Sequence, residues 1–271
     1  MAREFIMEDG GRVWVLSAEE GLVAHMARGE CVIGVLSDSD LPPIPDGGYL
    51  VEDEESVDAA FAGRVYARFC HKPWIIGENE ALILREFVPG DLVELYRLEQ
   101  DMRSYIDLKG ILGTLPDVKW TELSAVEQKE LSERFAAYIE HQYSFYEFGL
   151  WGMFRRSDGK LIGMCGYSAT EEEDMSLGYY VYPTCRLNGY ATACCRMALD
   201  FATGWLHAEM VTACTRRENS ASKYILRKLG FSQVGEEDGR LLFRKDLTVP
   251  EAAEEPEDRP AQILGKHFRR T

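Results

Sequence analysis

Residues 175–191, MSLGYYVYPTCRLNGYA, constrain this chain more than any other stretch. A β-branched and aromatic run ends at Pro183, a short loop follows, and Arg186-x-x-Gly189-x-Ala191 opens a helical pattern. Strand, loop and helix N-terminus in that order make a site for an anion. The loop N–H groups turn inward, and the first helical N–H groups have no carbonyl partner of their own. Gly189 carries no Cβ, so a ligand can approach the backbone closely there. A pyrophosphate suits such a cradle. On its own the pattern is common, because many helices begin after a glycine turn.

A second block, NSASKYILRKLGF at residues 219–231, follows at a distance that leaves room for one strand between the two. Together the blocks resemble the GNAT superfamily of N-acetyltransferases, and within it the branch of the ribosomal-protein alanine N-acetyltransferases. Arg-x-x-Gly-x-Ala is similar to the superfamily's coenzyme A pyrophosphate loop. Asn-x-x-Ser…Lys-Leu-Gly-Phe is similar to its next helix, which runs beside the pantetheine arm. The resemblance covers about residues 81–247, with order and spacing both matching. It implies an α/β fold with a mixed, mostly antiparallel twisted sheet flanked by helices. The activity it implies is acetyl-CoA-dependent transfer of acetyl to a primary amine, on a protein N-terminus or a small molecule. No metal is implied.

The resemblance also assigns residues. Arg186, Leu187, Asn188, Gly189, Tyr190 and Ala191 would hold the pyrophosphate, with the Arg186 side chain adding a direct charge contact. The strand before the loop is expected to carry a bulge and to splay from its neighbour, so that Val181 and Tyr182 offer backbone groups to the pantetheine. The alternatives are an ordinary central strand and a simple turn glycine. Asn219 would bond the pantetheine amide, and it also reads as a helix N-cap.

Acid and base depart from the family pattern. Many members place a Tyr four residues before the Gly of Leu-Gly-Phe, and here that position is Leu226. The ribosomal-type branch has Ser at the position of Ser222, which becomes the expected donor to the departing thiolate. Tyr224 lies two residues further on, about 200° around a helix, and should face elsewhere. Relatives often carry Glu just before Leu-Gly-Tyr, where this chain has Ser176. Asp174, two residues earlier on the same strand face, is the remaining candidate base, acting directly or through water. His141, in an aromatic helix on the expected acceptor side (roughly residues 95–150), can be structural or catalytic.

Charge narrows the partners. The formal net charge is −16, with 30 Lys+Arg against 46 Asp+Glu, which excludes a nucleic-acid footprint. It suits a cationic amine drawn in by the protein's field, and equally it keeps a protein soluble. The seven cysteines form no Cys-x-x-Cys pair, as expected of buried thiols in a reducing compartment. MAREFIMEDGG lacks the apolar core of a signal peptide, and no segment is long enough to span a bilayer. A cytoplasmic protein without a membrane partner follows, as monomer or homodimer.

Residues 1–76 are expected to form a small Rossmann-like α/β accessory domain, 77–247 the acetyltransferase domain, and 248–271 a tail. The N-terminal pattern is β-α-β-β-α: strands at 12–16, 31–36 and 49–51, helices at 18–28 and 56–70, and a connection at 71–80. It resembles the C-terminal part of a haloacid-dehalogenase-type domain, without the aspartates expected after the first strand. Asp38-Ser39-Asp40 follows a strand as that family's nucleophile motif does, but Pro42 replaces the expected Thr or Val. A degenerate, non-catalytic module is the expectation, and a phosphatase working through Asp38 the competitor. In the second domain Asp91 is expected to cap a helix, 106–123 to be irregular, and Ser124–Glu127 to form a capping box. Hairpins are expected at Asp158-Gly159 and Asp238-Gly239. A domain that binds acyl-CoA without turning it over, as sensor or scaffold, is the alternative to an enzyme.

Overall fold

The computed structural model describes residues 2–17, 19–36, 49–100, 109–169 and 175–248. Asp38, Asp174 and the tail beyond residue 248 lie outside the described residues. The first group of elements is β1 (Ala2–Ile6), β2 (Arg12–Leu16), α1 (Glu19–Ala27), β3 (Cys31–Val35), β4 (Tyr49–Val51) and α2 (Ala59–Phe69). They build a four-stranded sheet in the order β1-β2-β3-β4. β2, β3 and β4 are parallel, and β1 pairs antiparallel with β2. The expected Rossmann-like unit is present only as that short parallel run. β1 was not anticipated, and the second helix starts at Ala59, three residues late, because Asp58 takes the N-cap with its carboxylate on the Phe61 N–H at 2.8 Å.

The second group is β5 (Ile75–Glu78), β6 (Leu82–Arg85), α3 (Leu92–Gln100), α4 (Lys109–Leu112), α5 (Ala125–Glu140), β7 (Leu150–Arg155), β8 (Leu161–Ala169), β9 (Met175–Val181), α6 (Tyr190–Gly204), β10 (Met210–Arg216), α7 (Ser220–Lys228), β11 (Ser232–Glu237) and β12 (Arg240–Asp246). Their eight-stranded sheet runs β11-β12-β10-β9-β8-β7-β6-β5. Every pairing is antiparallel except β9–β10, whose parallel course is made possible by α6 crossing between them. The segment expected as a connection thus supplies an edge strand, β5. Asp91 does not cap α3. It closes a 3-10 turn ahead of that helix, accepting from the Val88 N–H at 2.9 Å and from Arg85 at 2.8 and 2.9 Å. The stretch expected to be irregular holds α4 and a 3-10 turn at Trp120–Glu122.

The core lies where β8 is buried from Leu161 to Tyr167 and packs against both α3 and α6. Two glycines let its neighbours approach. A Cβ at Gly163 would lie 2.1 Å from the Tyr180 carbonyl oxygen, and one at Gly166 would lie 2.0 Å from that of Gly149. α5 begins at the expected capping box, Ser124 with Glu127. It ends in a π-helical turn, His141–Phe145. There Tyr143 donates to the Leu150 carbonyl at 2.6 Å and Tyr138 accepts the Leu150 N–H at 2.9 Å, so the turn fixes the start of β7.

α2 joins the two sheets. Ala62 and Val65 face the small core, while Arg64 and Arg68, one helical turn apart, reach the large unit. Arg68 forks onto Glu86 at 2.5–3.2 Å and bonds Glu147 at 3.2 Å and the Tyr49 hydroxyl. Arg64 pairs with Glu147 at 2.5 Å and lies 4.0 Å from the Trp205 ring centroid. Burial pushes the Glu86 carboxyl up and pulls the Arg64 guanidinium down to about 10, still charged at neutral pH. Among the described residues no helix is long and apolar enough to cross a membrane.

Candidate active site

The site starts from an interruption in the large sheet. β9 and β8 keep unbroken register from Met175–Ala169 to Val181–Gly163, so the bulge expected in β9 is not there. On its other edge β9 pairs with β10 only at Ser176–Thr212 among the described residues. Thr212 Oγ1 adds a bond to the Met175 carbonyl at 3.2 Å at that joined end. β10 meanwhile holds β12 along its whole length. Two parallel strands joined at their N-terminal ends and at no other described pair diverge toward Val181 and Arg216, which leaves a wedge between them.

Strand alternation decides what the wedge offers. The Tyr182 N–H donates to the Ile162 carbonyl of β8 at 2.9 Å. The backbone groups of Tyr179 and Val181 therefore face the wedge. Tyr182, expected to present its backbone there, is turned to β8 instead, because a strand's groups alternate edge by edge. Val181 and Tyr179 are the residues at this end of β9 whose backbone groups face the wedge.

The loop bends sharply at the wedge's mouth. Leu187 has φ +64° with its side chain fully exposed, and Gly189 has φ +78° as N-cap of α6. A left-handed leucine is unfavourable and marks a backbone held for a purpose. A Cβ built at Gly189 meets nothing within 4 Å, so the space beside it is open. Helical bonding starts with Ala193 N–H on the Gly189 carbonyl at 3.0 Å, leaving the N–H groups of Tyr190, Ala191 and Thr192 ahead of the ladder. Asn188 closes the loop, its Nδ2 donating to the carbonyls of Cys185 and Arg186, each at 3.1 Å. The Arg186 side chain folds back, Nε on the Val181 carbonyl at 3.1 Å and Nη2 on the Tyr180 hydroxyl at 3.2 Å. It ties the loop to the strand rather than reaching out over it.

α7 forms the other wall. Asn219 Oδ1 caps it by accepting the Ser222 N–H at 3.1 Å. Ser222 Oγ lies 2.8 Å from the Tyr179 hydroxyl, which also donates to the Ser222 carbonyl at 3.3 Å. No spacing signal marks this pair, since 43 residues separate Tyr179 from Ser222. Burial raises the Tyr179 phenol and the Ser222 hydrogen bond pulls the other way. Leu226 is fully buried, and Tyr224 is 66% exposed, turned away as the helical geometry requires. His141 is exposed at the end of α5 with its ring 5.4 Å from that of Tyr146. Ser176 stands at the closed end of the wedge, between Ser168 and Thr212. An open cleft of about 380 Å³ lies against α3, lined by Tyr96, Arg97, Lys119 and Trp120 among others. Among the described residues no group of three His, Cys, Asp or Glu stands together as metal ligands do.

The wedge, the open backbone at Gly189 and the three leading N–H groups fit a pyrophosphate on an extended arm. Comparison with known proteins gives the family. The family described as acetyltransferase (GNAT) domain matches residues 81–232. A Bacillus subtilis (strain 168) protein, the uncharacterized N-acetyltransferase YoaA, is 25% identical over 163 residues, 58% of this chain and 83% of that protein. The structure of ribosomal-protein-S5-alanine acetyltransferase from Vibrio fischeri superposes with a TM-score of 0.50 at 17% identity, covering 64% of this chain and 96% of that one. A probable acetyltransferase superposes with the same TM-score at 20% identity, over 64% of this chain and 96% of its own. These two likenesses concern the fold. The family match spans more than half of the chain, from β6 to the start of β11, and encloses both walls of the wedge: the chain belongs to the GNAT acetyltransferase family and is an acyltransferase.

Proposed function

We propose that the chain transfers acetyl from acetyl-CoA to a primary amine, on a protein N-terminus or a small molecule, with the wedge between β9 and β10 as the donor site. The observation that carries this reading is the combination of that wedge with the left-handed Leu187–Gly189 loop at its mouth. In this reading Gly189 opens the backbone to the pyrophosphate, and the N–H groups of Tyr190, Ala191 and Thr192 bond it. Leu187 and Asn188 hold the loop's shape, and Arg186 braces it against β9. The backbone of Val181 and the Nδ2 of Asn219 flank the pantetheine.

Transfer needs little covalent help. The two reactants must be aligned and charge on the departing sulfur supported. Ser222 donates a hydrogen bond to that sulfur, and Asp174 takes the amine proton directly or through water. The net charge of −16 favours a cationic acceptor. The four-stranded sheet with α1 and α2 is an accessory unit without a part in the chemistry.

Screening amines and amino-terminal peptides with acetyl-CoA, read out by thiol release, tests the proposal. Acceptor-dependent release is expected. Asp174→Asn should lower the rate most at low pH, where the amine is mostly protonated and help in removing its proton counts most. A uniform loss across pH would remove Asp174 from the role of base.

A further inference from the structure

We propose that Tyr179 is a positioning residue that fixes the Ser222 hydroxyl toward the sulfur of bound coenzyme A, taking the place of the phenol that the chain lacks at Leu226. The inference rests on the reading of Ser222 given above. Its geometry is independent of that reading. The Tyr179 side chain reaches from β9 to α7, with its hydroxyl 2.8 Å from Ser222 Oγ and 3.3 Å from the Ser222 carbonyl.

A serine hydroxyl has one proton and a freely rotating O–H. Left alone on the first turn of α7, it has a nearby backbone carbonyl to bond, as serines in helices commonly do. When the phenol turns its one proton from the Ser222 carbonyl to Oγ, the serine no longer donates to the phenol and its own proton is free for a sulfur in the wedge. The phenol can hold this donor role only while it keeps its proton, which burial of the ring on β9 favours. The titratable groups around it are the Cys165 thiol of β8 and the Cys195 thiol of α6; on α7, Lys223 beside Ser222 turns its Nζ to the Arg217 carbonyl at 2.7 Å. Burial holds the Cys195 thiol well above the ordinary thiol range, so it stays neutral and does not compete for the phenol's proton.

The chemistry balances without a proton moving through the pair. The amine nitrogen bonds to the acetyl carbon, the C–S bond breaks with its electron pair going to sulfur, and the amine proton leaves to Asp174 or solvent. Ser222 donates a hydrogen bond to the thiolate and keeps its proton. Tyr179 never touches the reacting atoms.

A test free of the acceptor uses coenzyme A itself. Bound to the full-length protein, its thiol is titrated by thiolate ultraviolet absorbance, and binding is checked by calorimetry. In the wild type a hydrogen bond to sulfur should hold the bound thiol's pKa below that of free coenzyme A. Ser222→Ala should raise it by about half to one pH unit, the effect of one hydrogen bond. Tyr179→Phe should give a similar rise with coenzyme A affinity within about threefold, and the double variant should give no further rise. Tyr179→Met, a flexible apolar filler, serves if the Phe variant does not fold. A rise in Ser222→Ala with none in the Tyr179 variants overturns the role of Tyr179 and leaves Ser222 standing. Equal, additive rises from both residues overturn it too, because Tyr179 would then act without Ser222. No rise in Ser222→Ala overturns the assignment of Ser222 and this inference with it.

Discussion

Gly189 shows how much one backbone position can hold. Its φ of +78° suits glycine, and the space where a Cβ would stand is open. Two substitutions therefore separate strain from charge. Gly189→Ala adds only a left-handed alanine, a strain of about 1–2 kcal/mol. Gly189→Glu adds the same strain and places a carboxylate where the pyrophosphate is proposed to bind. Calorimetry should show the Glu variant binding acetyl-CoA at least about tenfold more weakly than the Ala variant, roughly 1.4 kcal/mol, with circular dichroism unchanged. Equal affinities in the two variants would move the pyrophosphate out of this loop. Gly189 and Asn219 were legible in the sequence because a glycine before a helix and an Asn at its start carry their reasons locally. Tyr179 was not, since its partner comes from a different element. Tyr182 departs from its expected place for a related cause: which strand edge a backbone group faces is set by the neighbouring strand's register, and register is not local.

At the scale of elements, patterns that close within a few residues were legible. The Ser124–Glu127 capping box starts α5, and Asp158-Gly159 and Asp238-Gly239 turn their hairpins. β1 and β5 lack the uninterrupted apolar run that marks a strand such as β2: Arg3 and Glu4 break the first, and the second ends in Gly77-Glu78. The wedge itself was expected through the resemblance and not from any property of β9 or β10 alone. What holds β9 straight beside it is its tight contact with β8, and Gly163 makes that contact possible. Gly163→Ala would place a methyl 2.1 Å from the Tyr180 carbonyl oxygen. Backbone cannot yield as a side chain can, so β8 and β9 must part. A loss of about 1–3 kcal/mol in denaturant unfolding is expected, together with weaker acetyl-CoA binding as the wedge changes shape. Alanine at Gly110, where an added Cβ meets nothing within 4 Å, is the control and should leave both quantities close to wild type.

Across the whole molecule, the two sheets are joined by buried charge. Arg68 has a side chain 9% exposed and Glu86 one 3% exposed, and their fork is reinforced by Glu147 and Tyr49. Neither arginine of α2 could be assigned a partner from sequence, because Glu86 and Glu147 lie in a different unit. The join has a consequence for the site. Glu147, with φ +63°, stands between the π-helical turn after α5 and the start of β7, so α2 holds the same segment that Tyr138 and Tyr143 hold from within. Removing one charge should cost more than the pair contributes, because the other is left buried and unpaired. Arg68→Met is therefore expected to destabilise the protein by about 3–5 kcal/mol in urea unfolding. Arg68→Met with Glu86→Leu replaces both by apolar groups and should recover much of the loss. The double variant should still release thiol with an acceptor at a rate within a few fold of wild type if the N-terminal unit braces the fold and takes no part in the chemistry. A stable double variant that has lost turnover would place α2, and the charges it carries, in the catalytic machinery.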